Sequence, residues 1–436
     1  MAVEWRRVVA LPLTLLVVGN LQLIWGNAAA KVPCFFIFGD SLSDSGNNNG
    51  LLTLAKANYL PYGIDFPAGP TGRFTNGRTT VDLIGEHMGL ESYIPPFAAA
   101  RGPQILKGLN YASGSAGILD ETGQHVGDRI PMDIQLNNHQ TTVLRIGRML
   151  GNETAGHLKR CLYSVYVGSN DYMINYYMPA FYPTSQAYSI EQFTDALIAQ
   201  YSRQLMRLHS YGARKVVLFG LSPLGCLPIL HLSTDKCADN INSALQLFNG
   251  RVKSLVDEFN KNLNDAKFIF INTFQIVSEN LSALGTKMKK GPCCGVREMF
   301  CLPYTVPCTD RNGFAYWDNA HPTEVENKVL AGRAYSAQNP DDTYPMDISH
   351  LVEDTSTQPA GGGGSQVAGG EGASTAPPSG DVVEAGQGEG PGGTATTPTA
   401  INGWPFGTAA AASTRKLGLK CWGVVLAITY LSSLGV

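Results

Sequence analysis

Four short stretches of the chain carry residue types that can do polar chemistry. Gly39-Asp40-Ser41-Leu42-Ser43-Asp44 sets a serine between two carboxylates, directly after the apolar run Phe35–Phe38. Asn110-Tyr111-Ala112-Ser113-Gly114-Ser115 contains a glycine whose backbone N–H can approach a ligand closely. Gly168-Ser169-Asn170-Asp171 offers a side-chain amide, and Asp318-Asn319-Ala320-His321-Pro322 places a carboxylate three positions before an imidazole. At that spacing, one turn at a helix start, the carboxylate orients the ring and the ring serves as a base. A serine hydroxyl needs such a base before it attacks a carbonyl, and amide donors are what the resulting oxyanion needs. Each stretch also has an ordinary reading. Ser and Asp favour turns and helix N-caps, Asn170 suits an Asx turn, and a lone histidine is more often structural. Asp40–Asn49 is rich enough in Asp and Asn for a calcium loop, but the EF-hand spacing is absent. Gly220-Leu221-Ser222-Pro223-Leu224 lacks the closing glycine of a G-x-S-x-G elbow, so Ser222 reads as structural.

These residues need a scaffold that brings them together. Phe35–Phe38, Leu162–Val167, Lys215–Phe219 and Lys267–Ile271 are short runs rich in β-branched and aromatic residues. They read as strands of a parallel sheet buried on both faces, with the weaker run Gly108–Ala112 as a fifth. Thr79–Met88, Met132–Leu150, Ile190–Tyr211 and Asn240–Asn262 carry helix-period patterns between them. Alternating strands and helices predict a three-layer α/β/α sandwich, with a central parallel sheet of about five strands. In such folds ligands bind beyond the carboxyl ends of the strands, and three of the four polar stretches begin there.

Phe38-Gly39-Asp40-Ser41, the Gly114 stretch, Gly168–Asp171 and Asp318–Pro322, taken in order, resemble the four blocks of the SGNH hydrolases. Phe38–Gly50, Gly72–Arg78 and Trp317–Glu324 resemble the plant GDSL esterase/lipase branch of that superfamily. The resemblance covers about Lys31 to Ala337 and implies a flavodoxin-like sheet and hydrolysis of acyl esters. It implies Ser41 as nucleophile, His321 as base and Asp318 as its orienter. Ser41 N–H, Gly114 N–H and the Asn170 amide would then form the oxyanion hole. No metal and no cofactor is implied. The same residues would serve an acyltransferase, and the third reading is a non-catalytic, surface-tethered binding protein on an esterase fold. Substrate choice is not legible. The cluster Tyr172, Tyr176, Tyr177, Phe181 and Tyr182 suits either an acyl groove or ordinary packing.

The ends of the chain say where this body would work. Residues 1–30 carry Arg6-Arg7, an apolar run Val8–Val18 and Ala28-Ala29-Ala30, the pattern of a cleaved secretory signal. The hydrolase body is expected over 31–340. Residues 341–412 hold nine acidic residues and no Lys or Arg, and 40% of Ser356–Ala400 is Gly or Pro. Such a composition predicts a disordered stalk. Residues 413–436 end in the apolar run Cys421–Val436, after the basic pair Arg415-Lys416 and the small residues Thr408–Ser413. That order suits a GPI-attachment signal better than a span, which needs about 20 apolar residues. Secretion to the outer face of the plasma membrane or the cell wall is therefore expected, with membrane contact through the tail. The net charge of −3 falls mostly on the acidic stalk and leaves the body near neutral, which sets nucleic acid aside as a partner. Apart from Cys421, eight cysteines remain, an even number suited to disulfides, with Cys226–Cys237 the best single pair. The dense group Cys293, Cys294, Cys301 and Cys308 lacks the paired CxxC units of a zinc site. Asn152 and Asn280 head N-x-S/T sequons and are expected to be glycosylated surface positions.

Overall fold

The computed structural model describes residues 30–230, 236–284, 289–295 and 299–354. The expected signal, apart from residue 30, most of the stalk and the whole tail lie outside the described residues. Four apolar runs form strands β1 (Phe35–Gly39), β2 (Leu162–Tyr166), β3 (Lys215–Phe219) and β4 (Lys267–Ile271). They pair in parallel in that order, in the registers Phe35↔Leu162, Leu162↔Lys215 and Lys215↔Lys267. Alternate side chains serve opposite faces of the sheet. Phe36, Phe38, Tyr163, Val165, Val216, Leu218, Phe268 and Phe270 pack on one face. That face is covered by helices α2 (Met132–Leu150), α3 (Ile190–Ser210) and α4 (Asp239–Asn262), through residues such as Leu136, Leu205 and Phe248. Phe35, Ile37, Leu162, Val217, Phe219, Ile269 and Ile271 face the other way. Val81 and Ile84 of α1 (Thr80–His87), Ile276 of α5 (Thr273–Leu284), and Leu330 and Ala331 of α6 (Glu324–Tyr335) cover them. Covering helices on both faces explain why these strands read as continuous apolar runs, and they give the predicted three layers.

The fifth strand differs from the expectation. Residues 108–112 run parallel beside β1, bonding it through Ile37 N–H to Leu109 O and Tyr111 N–H to Ile37 O, but form only an isolated bridge there. The sheet instead gains the antiparallel strand β7 (Thr343–Tyr344) beside β4. Residues 341–354, assigned to the stalk from sequence, therefore belong to the body. Helix α7 (Ile348–Glu353) buries Ile348, Leu351 and Val352 in the second core, and Lys215 Nζ donates to Val352 O at 2.8 Å. The acidic character that suggested a stalk is spent locally. Asp342 is buried against Arg333, and Asp347 caps α7 through His350 N–H.

Beyond the sheet, β5 (Lys289–Pro292) pairs in parallel with β6 (Phe314–Tyr316) beside a third apolar cluster. That cluster holds Tyr62, Phe74, Cys293, Cys294, Cys301 and Trp317. Its cysteines join as Cys293–Cys308 and Cys294–Cys301, with Cα separations of 5.0 and 5.6 Å. Cys226–Cys237 pairs as expected, and Cys34–Cys161 ties the chain just before β1 to that just before β2.

Candidate active site

The strand β1 ends in Gly39, where the backbones of β1 and β2 come so close that a Cβ would lie 2.3 Å from Tyr166 O. Gln135 of α2 grips this glycine from both sides. Its Oε1 accepts Gly39 N–H at 2.9 Å and its Nε2 donates to Gly39 O at 2.8 Å. The next residues turn at once, because Asp40 O accepts the N–H groups of Ser43 and Asp44 and Asp40 Oδ1 accepts Leu42 N–H. Ser41 is thereby lifted off the strand end. Its own N–H has no acceptor among the described residues.

His321 arrives from the other end of the chain. Its Nε2 lies 2.9 Å from Ser41 Oγ, across 280 positions of sequence. Its Nδ1 lies 2.9 Å from each oxygen of Asp318. Asp318 is fully buried and His321 is 4% exposed. The pair does not stand on a helix start, as its spacing suggested. It forms a turn ahead of α6, in which Asp318 Oδ1 accepts the N–H groups of Ala320 (2.9 Å) and His321 (2.7 Å). The i, i+3 spacing survives because the side chain closes the turn that a helix would have closed with its backbone. Phe74 and Phe300 flank the imidazole, their ring centres 5.0 and 5.8 Å from its own.

The Gly72–Arg78 motif fastens the chain segments around this base. Asn76 Oδ1 accepts Glu324 N–H at the start of α6, and Arg78 meets Glu324 Oε1 at 2.6 Å. Arg73 binds Asp82 of α1 through two bonds of 2.7 and 2.8 Å. Thr80 Oγ1 then donates to Asn327 Oδ1, bracing α1 against α6.

The donor loops are tied to the serine loop by buried amides and carboxylates. Asn47 Nδ2 donates to the carbonyls of Asn110 and Ala112, and Asn48 Nδ2 to those of Ala55 and Gly114. Asp44 accepts Gly46 and Asn47 N–H on one oxygen and Gly114 N–H, at 3.1 Å, on the other. The Gly114 amide, expected to face a substrate, is thus directed at Asp44. A Cβ on Gly114 would lie 2.8 Å from both Asn48 and Phe74, so the position excludes a side chain. Asn170 is half-buried in the turn after β2. Its Nδ2 donates one hydrogen to Ala116 O at 2.9 Å, and the second has no acceptor among the described residues. Asp171 beside it collects Ile118 N–H, Leu119 N–H and Thr122 Oγ1. Burial pushes the carboxyl of Asp40 up to about 7 and those of Asp44 and Asp171 up to about 6.

Other sequence candidates fall elsewhere. Tyr172 and Tyr176 belong to the main core, where Tyr172 OH meets Thr194 Oγ1 at 2.8 Å, so packing accounts for them. Asn152 is exposed on a short turn. Asn280 lies within α5, where its Nδ2 donates to the buried Glu326 at 2.5 Å. Among the described residues, one grouping of metal-ligating types occurs, Cys34, His157 and Cys161, and its two cysteines are joined to each other. Also among them, no helix is long and apolar enough to cross a membrane. Sequence reasoning missed Gln135, Asp44 and Tyr62, whose hydroxyl reaches Asp318. Asp44 lies in the serine stretch itself and Gln135 and Tyr62 in stretches without a catalytic pattern, and only the distant partner reveals what each one holds.

A hydroxyl beside an imidazole that a carboxylate holds is an arrangement able to attack a carbonyl, and comparison with known proteins agrees with that chemistry. Residues 35–334 match the family model described as GDSL-like lipase/acylhydrolase. A GDSL esterase/lipase of Arabidopsis thaliana is 50% identical over 346 residues, covering 77% of this chain and 95% of its own. A second from the same plant is 47% identical over 333 residues, with 73% and 92% covered. A third is 47% identical over 339 residues, with 75% and 93% covered. The chain belongs to the GDSL-like lipase/acylhydrolase family and is a carboxylic-ester hydrolase.

Proposed function

We propose that the chain hydrolyses acyl esters through an acyl-enzyme intermediate formed on Ser41, with His321 as base and Asp318 holding it. The observation that carries this reading is the 2.9 Å approach of Ser41 Oγ to His321 Nε2, with Nδ1 of the same ring on Asp318. Ser41 gives its proton to Nε2 as its oxygen bonds to the substrate carbonyl carbon. The carbonyl oxygen takes up the negative charge, which the Ser41 N–H and the second hydrogen of the Asn170 amide receive. Gly114 N–H joins them only when it turns from Asp44. Collapse of the adduct expels the alcohol, which leaves with the proton held by His321. Water then repeats the cycle, releasing the acid and restoring the serine. Removing one oxyanion donor in such sites typically lowers kcat by about 10²–10³-fold.

The reading places this hydrolase outside the cell. Four cysteine pairs suit an oxidising compartment, and the 1–30 segment has the pattern of a secretory signal. The Gly/Pro-rich stretch and apolar tail suit a GPI tether. Phosphatidylinositol-specific phospholipase C should release the protein from intact cells, and release by detergent alone would count against the tether. For the chemistry, Ser41→Ala should abolish turnover of a short-chain chromogenic ester while the far-UV circular dichroism stays unchanged. Wild-type turnover by that variant would overturn the assignment.

A further inference from the structure

Asp318 has two oxygens, and the turn it closes accounts for one of them. Oδ1 takes the N–H groups of Ala320 and His321. Oδ2 faces a residue from far earlier in the chain, as Tyr62 donates its hydroxyl hydrogen to Oδ2 at 2.6 Å. Tyr62 is fully buried between Tyr59, Phe74 and Trp317, their ring centres 5.4, 6.2 and 6.4 Å away. Its oxygen in turn accepts Cys301 N–H at 3.1 Å. Cys301 is bonded to Cys294, and Cys294 N–H donates to Trp317 O, next to Asp318 in the chain. The hydroxyl therefore spans two anchored segments, the disulfide loop and the turn that carries the base. Burial and the neighbouring carboxylate raise the phenol well above its usual range, so its proton stays on oxygen. The titratable groups that face it are Asp318 and Tyr59, and Tyr59 spends its own hydroxyl on Cys301 O at 2.8 Å, while the His321 ring is faced from the serine loop by the buried Asp40 carboxyl.

We infer that Tyr62 is a positioning residue of this hydrolase, whose hydroxyl fixes Asp318 and tempers how strongly that carboxylate holds a proton on His321. The inference rests on the triad assigned above. A carboxylate that receives a hydrogen bond spreads its charge onto the donor and attracts the imidazolium less. Without that bond, Asp318 Oδ2 keeps, among the described residues, only the His321 ring as partner. The carboxylate then binds the protonated ring more strongly and is freer to rotate from it. The acid limb of the pH profile moves to higher pH, and the chemical step slows because the ring is less well aimed.

Tyr62→Phe tests this, since it keeps the ring and removes only the oxygen. A hydrogen bond to a charged group is strong enough to predict about a tenfold fall in kcat, with KM within about twofold. The acid limb of kcat/KM should rise by about half a pH unit. Tyr59→Phe, which breaks a bond to the same loop but none to Asp318, should leave the limb in place. If Tyr62→Phe fails to fold, 3-fluorotyrosine at position 62 decides, because a more acidic phenol is a stronger donor and should move the limb to lower pH. An unshifted limb in either form of residue 62, or an equal shift in Tyr59→Phe, overturns the inference. Ser41→Ala is assayed alongside. Activity surviving there would defeat the triad itself, whereas an inactive Ser41→Ala with an unshifted Tyr62→Phe limb would defeat the role of Tyr62 alone.

Discussion

The Arg73–Asp82 pair links the Gly72–Arg78 motif to α1, and its removal tests whether that motif is a structural brace. Both side chains are nearly sealed from solvent, at 5% and 4% exposure. The guanidinium bonds both carboxylate oxygens, reaches Thr71 Oγ1 at 2.8 Å and lies 4.2 Å from the ring centre of Phe66. Arg73→Met keeps most of the volume and leaves Asp82 buried without its cation. Breaking one half of a buried pair costs about 3–5 kcal/mol. The lower end applies here, because Asp82 Oδ2 still receives Thr79 N–H and Thr79 Oγ1, each at 2.9 Å. We therefore expect about 3 kcal/mol, read as a fall in the urea midpoint at constant m. Arg73→Met with Asp82→Asn should recover part of the loss, since the amide removes the stranded anion while its oxygen still accepts Thr79 N–H. A single-variant cost below about 1 kcal/mol, the range of exposed pairs, would refute the reasoning. So would a double variant no more stable than the single one.

Two further outcomes follow from buried polar groups. Burial pushes the Glu326 carboxyl from its ordinary 4.5 up to about 7. The folded chain then keeps a proton that the unfolded chain releases, so this group's contribution to stability is full at low pH and declines as pH rises from about 4.5 to about 7. Glu326→Gln should flatten that part of the stability–pH curve, and an unchanged slope would contradict the assignment. Peptide mass spectrometry of the protein secreted from a glycosylating host should find a glycan on Asn152 and none on Asn280. The Asn280 amide nitrogen is already committed to Glu326 inside a helix, and an Asn280 glycopeptide would show that contact to be dispensable.

Much of the scaffold was legible because its parts obey local rules. Lys215–Phe219 and Lys267–Ile271 are strands from end to end, and the helix over Met132–Leu150 has the expected bounds. Their patterns reflect burial on two faces or on one stripe, which sequence periodicity reports directly. The edges of the sheet were less legible. Residues 108–112 carry strand-like residues but serve as a lone bridge beside β1, while Thr343–Tyr344 is too short to announce itself. The acidic run after residue 340 resembled a stalk because charge composition does not reveal that Asp342 meets Arg333 inside the body. The polar blocks were readable through their order and their resemblance to a known family. The groups that hold them were not. Gln135 looks like any residue of an amphipathic helix, and Asp44 like any turn aspartate. Their roles rest on pairings with Gly39, 96 positions away, and with Gly114, 70 positions away, which no local pattern encodes.

The central claim is that Ser41 becomes the covalently acylated atom. Incubation with an activated phosphonate ester, followed by peptide mass spectrometry, tests it most directly. A single adduct on the peptide containing Ser41, formed far more slowly in His321→Ala and absent in Ser41→Ala, is the predicted result. An adduct on another residue such as Ser222, or labelling that persists in Ser41→Ala, would contradict the account.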